Sequence, residues 1–150
     1  MILWRISNYA DLHGLGGLKA SARWHTRGHR IVYLSSTPAS ALLEILVHLE
    51  IEEDLLPRSY KLLEIQAPDD VAIERVEDWA KLPKGWPKKL SVTRALGDQW
   101  LDRNSSALLQ VPSALVPHTS DFLLNPLHKD AARIMIISVS QQRFDRRLLQ

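Results

Sequence analysis

Three residues whose types suit work on an anionic ligand, Arg23, Tyr33 and Glu44, stand at the ends and joints of regular structure in the stretch ARWHTRGHRIVYLSSTPASALLEILVHLE, Ala22 to Glu50. A guanidinium donates paired hydrogen bonds to phosphate oxygens from a planar fork that lysine cannot reproduce. A tyrosine offers an aromatic face with a polar tip, and a carboxylate favours positive charge that develops beside it. Each also has a plain structural reading: a surface charge for Arg23, a core ring with a satisfied hydroxyl for Tyr33, and an exposed helix pair with His48 for Glu44.

The elements that must position them are legible in the same stretch. Ile31 to Ser35, apolar and β-branched, reads as a short buried strand carrying Tyr33, and Thr37 with Pro38 reads as the N-cap and first turn of a helix. Arg23 therefore enters the strand, and Glu44 rides the helix that follows. Ala39, Leu42, Leu43, Leu46, Val47 and Leu49 form a wide apolar face on that helix, while Ser40, Glu44 and His48 share a polar stripe at four-residue spacing.

Ile2 to Ile6 reads as a first strand, followed by a loop from Ser7 to Ala22 whose Gly14, Gly16 and Gly17 lack the spacing of a phosphate-cradling loop. Ser59 to Ala67 alternates as a strand, and the charged, proline-rich stretch from Pro68 to Lys89 reads as an exposed insertion. A second amphipathic helix follows Ser91, with Val92, Ala95, Leu96, Gln99 and Trp100 inward despite an interruption at Gly97. Ala107 to Val111 and Arg133 to Ser140 read as further strands. Strands that outnumber helices without regular interleaving indicate an α+β fold.

A chain of 150 residues with 45% hydrophobic content suits a single domain over 1–150 with one real core. No apolar run approaches the ~20 residues that cross a bilayer, and the N-terminus lacks a signal-peptide pattern, so a cytoplasmic protein is expected, with no membrane partner. The absence of cysteine rules out disulfides, thiolate metal sites and a cysteine nucleophile. The six histidines are dispersed, and Glu44 with His48 falls short of a His-Glu-x-x-His pattern, so no metal is expected. A formal charge of +2, with basic residues scattered and not interleaved with aromatics, argues against direct nucleic-acid binding.

Six motifs run through the chain in order: LWRIS with Arg5, ARWH with Arg23, IVYLS with Tyr33 and Ser35, ALLEILVH with Glu44, VPSALVP with Ser113, and FLLNP with Asn125 and Pro126. Together they resemble the RES family, the toxins of bacterial RES/Xre toxin-antitoxin pairs, named for an arginine, a glutamate and a serine. The resemblance covers nearly the whole chain. It implies an ADP-ribosyltransferase-like fold with a small split β-sheet core flanked by helices, acting on NAD as substrate and using no cofactor. It also implies an Xre-type antitoxin partner with a helix-turn-helix DNA-binding domain, and a homodimer.

The implied reaction cleaves the bond between nicotinamide and ribose, whose transition state resembles an oxocarbenium ion. On this resemblance Arg23 holds the pyrophosphate with Arg5 as a second donor, Tyr33 orients the nicotinamide, and Glu44 faces the ribose. Ser113 hydrogen-bonds ribose or nicotinamide, or else caps the turn after Pro112; no Gly-x-Ser-x-Gly elbow marks it as a nucleophile. His25, two positions from Arg23 in an extended segment, faces the same side, and Ser35 and Asn125 complete the NAD-binding set. The ADP-ribose passes to water or to phosphate; the alternatives are a protein ADP-ribosyltransferase and a non-catalytic nucleotide-binding module. Glu44 argues against the last, because a carboxylate repels a nucleotide's phosphates unless catalysis uses its charge.

Overall fold

The computed structural model describes residues 1–48 and 58–149. Apolar, β-branched runs form seven strands: β1 (Ile2–Ile6), β2 (Val32–Ser35), β3 (Ser59–Gln66), β4 (Ile73–Arg75), β5 (Leu108–Pro112), β6 (Ser120–Leu124) and β7 (Met135–Arg143). Three α-helices accompany them, α1 (Pro38–His48), α2 (Val76–Trp79) and α3 (Leu90–Arg103). The strands make one mixed sheet in the order β4-β5-β6-β2-β1-β3-β7, with β4 and β5 its parallel pair.

The sheet is nearly divided in the middle. β2 pairs with β6 from Val32↔Leu124 to Ser35↔Asp121, and β1 pairs with β3 from Ile2↔Gln66 to Ile6↔Leu62. Between them, β1 and β2 meet at a single pair, Trp4↔Ser35. Strands that part in this way leave a cleft between two otherwise well-paired half-sheets, which is the split core that the sequence resemblance implies.

Alternate residues of β2, β5 and β6 divide between two core clusters, as period-two side-chain placement requires when both faces are covered. Val32, Leu34, Leu108, Phe122 and Leu124 join Leu3, Leu63 and Ile65 on one face. Leu109, Val111 and Leu123 join Trp24, Ile31, Val76 and Trp100 on the other. The Thr37 hydroxyl accepts the Ser40 N–H at 3.1 Å, so α1 begins at the cap read from the sequence.

Five expectations change. The Pro68 to Lys89 stretch is not an exposed insertion: it supplies β4 to the sheet edge, buries Val71 and Val76, and packs Trp79, Leu82 and Trp86 onto the Trp100 cluster. Its apolar anchors are spaced by lysines and prolines, so no periodicity announces them. In α3 the buried residues are Thr93, Gly97, Trp100 and Leu101, while Ala95 and Gln99 are exposed. Gly97 marks the closest approach rather than an interruption, for a Cβ there would lie 1.6 Å from the Trp24 carbonyl oxygen.

On α1 the buried residue is Ala41, and Ala39, Leu43 and Val47 face solvent, because the helix turns its Ala41, Glu44 and Ile45 side toward the cleft; Leu49 lies outside the described residues. The last strand starts at Met135, with Arg133 absorbed into a 3₁₀ turn over Lys129–Arg133, and runs on to Arg143. Among the described residues no helix is long and apolar enough to cross a membrane.

Candidate active site

The segment carrying Arg23 has almost no regular structure of its own, with one isolated bridge between Ala22 and His25. Side chains of α3 hold it instead. Thr93 Oγ1 donates to the Arg23 carbonyl at 2.6 Å, Arg94 Nε donates to the Ala22 carbonyl at 2.7 Å, and the Thr26 N–H donates to Asp98 at 2.9 Å. Gly97 admits the Trp24 carbonyl against the helix. Trp24 also packs on Trp86, with ring centroids 5.7 Å apart. The Arg23 guanidinium in turn donates to the Pro87 carbonyl at 2.6 Å, so the stretch read as an insertion sets the position of this arginine.

Tyr33 fastens the same segment from the sheet side. Its hydroxyl oxygen accepts the Trp24 N–H at 3.0 Å and lies 2.8 Å from His25 Nδ1. His25 Nε2 lies 2.8 Å from the Ala20 carbonyl, which can only accept. In the neutral ring Nε2 is therefore the donor and Nδ1 accepts the Tyr33 proton, and burial lowers the His25 pKa in agreement. Burial likewise raises the Tyr33 pKa, so the phenol stays protonated. Its hydroxyl is committed to this chain of bonds, and its ring lines the cleft.

Where β1 and β2 part, a cavity of about 380 Å³ opens beneath α1. Arg5, Arg23, His25, Tyr33, Ser35 and Glu44 line it together, as do Gly16 and Gly17 of the glycine loop. Neither arginine makes an ion pair among the described residues: Arg5 donates to the Asp11 carbonyl at 3.0 Å and Arg23 to that of Pro87. Burial lowers the Arg5 pKa, opposed by the charge of Asp11, which is the signature of a cation partly desolvated without a carboxylate in contact.

The same cavity also carries acidic groups. Glu44 reaches the cavity from α1 and has only a loose 3.8 Å contact with His48, whose side chain is 75% exposed. Beside it stands Asp121, a residue the sequence reading did not select. Burial, then the charge and hydrogen bonding of Glu44, push the Asp121 carboxyl up to about 7, with a hydrogen bond from Ser35 opposing the shift. One Asp121 oxygen, Oδ1, is buried without a hydrogen-bond partner. A signal was present: Asp121 sits two residues before the buried Leu123 on one strand, where alternation assigns an inward position.

Two predicted site residues are not brought to this cavity. Ser113 Oγ accepts the Leu115 and Val116 N–H groups, each at 3.2 Å, and so caps the turn after β5, while the adjacent Ala114 does line the cleft. Asn125 is buried at the end of β6, donating to Asn104 Oδ1 at 2.9 Å and accepting the Leu127 N–H at 3.1 Å. Ser113 spends its hydrogen bonds on a local turn, and Asn125 divides its own between a local turn and Asn104 at the end of α3.

Residues 2–147 match the RES domain family. The chain is 47% identical to "Toxin Res" of Pseudomonas putida, over 87% of this chain and 88% of that protein. It is 37% identical to the "Prs ADP-ribosylating toxin" of a Sphingobium species, over 98% and 96% of the two chains. Among solved structures, the M. tuberculosis MbcT-MbcA toxin-antitoxin complex contains a chain that superposes with a TM-score of 0.76 at 14% identity, covering 98% of this chain and 85% of that one. The α+β, ADP-ribosyltransferase-like fold expected from the motifs is thus the fold observed. On the extent of these matches, this chain belongs to the RES domain family.

Proposed function

We propose that this chain is the toxin of a toxin-antitoxin pair and that it consumes NAD by breaking the bond between nicotinamide and ribose. The observation that carries the reading is the lining of one cleft, which brings together two guanidiniums whose hydrogen bonds among the described residues go to carbonyl oxygens, and the carboxyl pair of Glu44 and Asp121. Arg23 and Arg5 suit the pyrophosphate. Glu44 suits the ribosyl cation that develops as neutral nicotinamide departs. Tyr33, with its hydroxyl engaged, offers its ring as a wall for the nicotinamide, and His25 and Ser35 contribute to the same lining. The volume lies within the ~300–1,000 Å³ usual for small-molecule sites.

A second reading, transfer of ADP-ribose to a protein, is favoured by the likeness to the Sphingobium ADP-ribosylating toxin. One experiment separates them: incubate the purified protein with NAD and follow nicotinamide, free ADP-ribose and protein-bound label. Hydrolysis gives equal nicotinamide and free product, whereas transfer leaves label on protein. NAD that binds but releases no nicotinamide would leave a non-catalytic binding module. In cells, we propose, an Xre-type antitoxin with a DNA-binding domain restrains a homodimer of this protein. Expression alone should then deplete NAD and stop growth, and co-expression of that partner should restore both.

A further inference from the structure

The Glu44 carboxylate does not stand alone in the cleft. Asp121 reaches the same cavity from β6, and Glu44 is within hydrogen-bonding reach of it. Ser35 faces Asp121 across the β2–β6 register. Asp121 Oδ1 is buried and receives no hydrogen bond from any described group. Two carboxylates at such separation repel, and a buried carboxylate oxygen without a donor is costly. A single proton held between the two carboxyls removes both penalties, because a protonated carboxyl donates to its ionised neighbour.

We propose that Asp121 is a positioning residue of the site, holding a proton that it donates in a hydrogen bond to Glu44, so that the pair carries one negative charge fixed in direction toward the substrate. This rests on the reading of Glu44 as the group facing the ribose. The groups around the pair are Glu44 and His48 from α1, Ser35 and Tyr33 from β2, Arg5 from β1, and Arg23 and His25 from the preceding loop; β5 presents the apolar Val111. Of these, Glu44 and Ser35 act directly on Asp121. No atom is transferred to substrate by Asp121; it orients the group that meets it.

The sign of the pH dependence follows. Below about 7 Asp121 is protonated and donates to Glu44. Above it, both carboxyls are ionised and the orienting bond is lost, so turnover of NAD should fall as pH rises through that midpoint. Asp121→Asn keeps an N–H donor at every pH and abolishes the titration. Its pH profile should be flat where that of the parent falls, and it should retain clearly more turnover than Asp121→Ala. The alanine variant should lose about tenfold or more in kcat with KM little changed.

The test is a carboxyl-carbon NMR titration of the full protein without NAD, set beside those three pH profiles. Expected are an Asp121 midpoint near neutrality and its fall toward the ordinary carboxyl range in Glu44→Gln. An Asp121 midpoint in the ordinary range, or one unmoved by Glu44→Gln, overturns the shared proton. Equal pH profiles in the parent and Asp121→Asn overturn the positioning role. If the midpoint behaves as expected but no variant, nor the parent, releases nicotinamide, the carboxyl pair stands and the NAD reading fails.

Discussion

Two regions of this molecule, the packing around Trp100 and the cleft beneath α1, treat polar groups in opposite ways. Around Trp100, Nε1 donates to Ser106 Oγ at 2.9 Å, Ser106 Oγ donates in turn to the Leu108 carbonyl, and Thr93 Oγ1 donates to the Arg23 carbonyl. The exception there is Trp79, whose Nε1 has no partner. In the cleft beneath α1, by contrast, two guanidiniums make no ion pair and an aspartate oxygen has no donor among the described residues. Burying a polar group without a partner costs about 1 to 3 kcal/mol. The first region is built for stability, and the second, on the function proposed above, holds charges that await the partners a ligand brings.

Trp100→Ala should break the stable region most. It empties a fully buried ring from the second cluster and removes the N–H that Ser106 Oγ accepts, with an expected loss of ~3 to 5 kcal/mol in urea-induced unfolding. A loss under about 1 kcal/mol would show that this cluster is loosely packed.

Gly97→Ala tests whether the two regions are mechanically joined. The new methyl group meets the Trp24 carbonyl, so overpacking should destabilise by ~1 to 3 kcal/mol, and displacement of the adjacent Arg23 should lower NAD turnover per folded molecule. Lost stability with unchanged turnover would uncouple α3 from the site. Arg23→Lys sharpens the contrast from the other side. It keeps the charge but loses the fork, so kcat/KM for NAD should fall by an equivalent of ~1 to 3 kcal/mol while the melting temperature holds.

The smallest effect is expected at His29, on the loop between Arg23 and β2. A hydrogen bond to the Thr26 carbonyl, and then the charges of Asp98 and Asp102 at 3.5 and 3.4 Å, raise its pKa above 6.5. A histidine with a raised folded pKa contributes stability that is fully present below the unfolded value and disappears as pH rises through the folded one. His29→Gln should therefore destabilise by only ~0.2 to 1 kcal/mol near pH 5.5, and by less near pH 8, in paired thermal melts.

Elements with a local signal were legible in the sequence. The Thr37 cap, the β2 strand and the β3 strand fall within a residue or two of their expected places. So does the gathering of Arg5, Arg23, His25, Tyr33, Ser35 and Glu44 at one cavity. What was not legible depends on contacts distant in sequence. The anchoring of Trp79 and Trp86, the packing of Gly97 on Trp24 and the grip of Thr93, Arg94 and Asp98 on the Arg23 segment all join residues separated by tens of positions, and no periodicity records them. Asp121 differs, because the strand that carries it was not among those read from the sequence, and a lone aspartate in a strand carries no motif. Ser113 and Asn125 have motif positions yet use their hydrogen bonds in turns.

Glu44→Gln tests the proposed chemistry most directly, since the exchange is nearly isosteric and removes only the negative charge facing the ribose. Nicotinamide release, NAD binding and thermal unfolding should be measured on the same preparations of the parent and the variant. The expected result is a fall in turnover of ~10²-fold or more, the scale of one preorganised electrostatic group, with NAD still bound and the melting temperature unchanged. Full activity in Glu44→Gln, or activity lost only through unfolding, would contradict the assignment and leave Glu44 a structural residue of its helix.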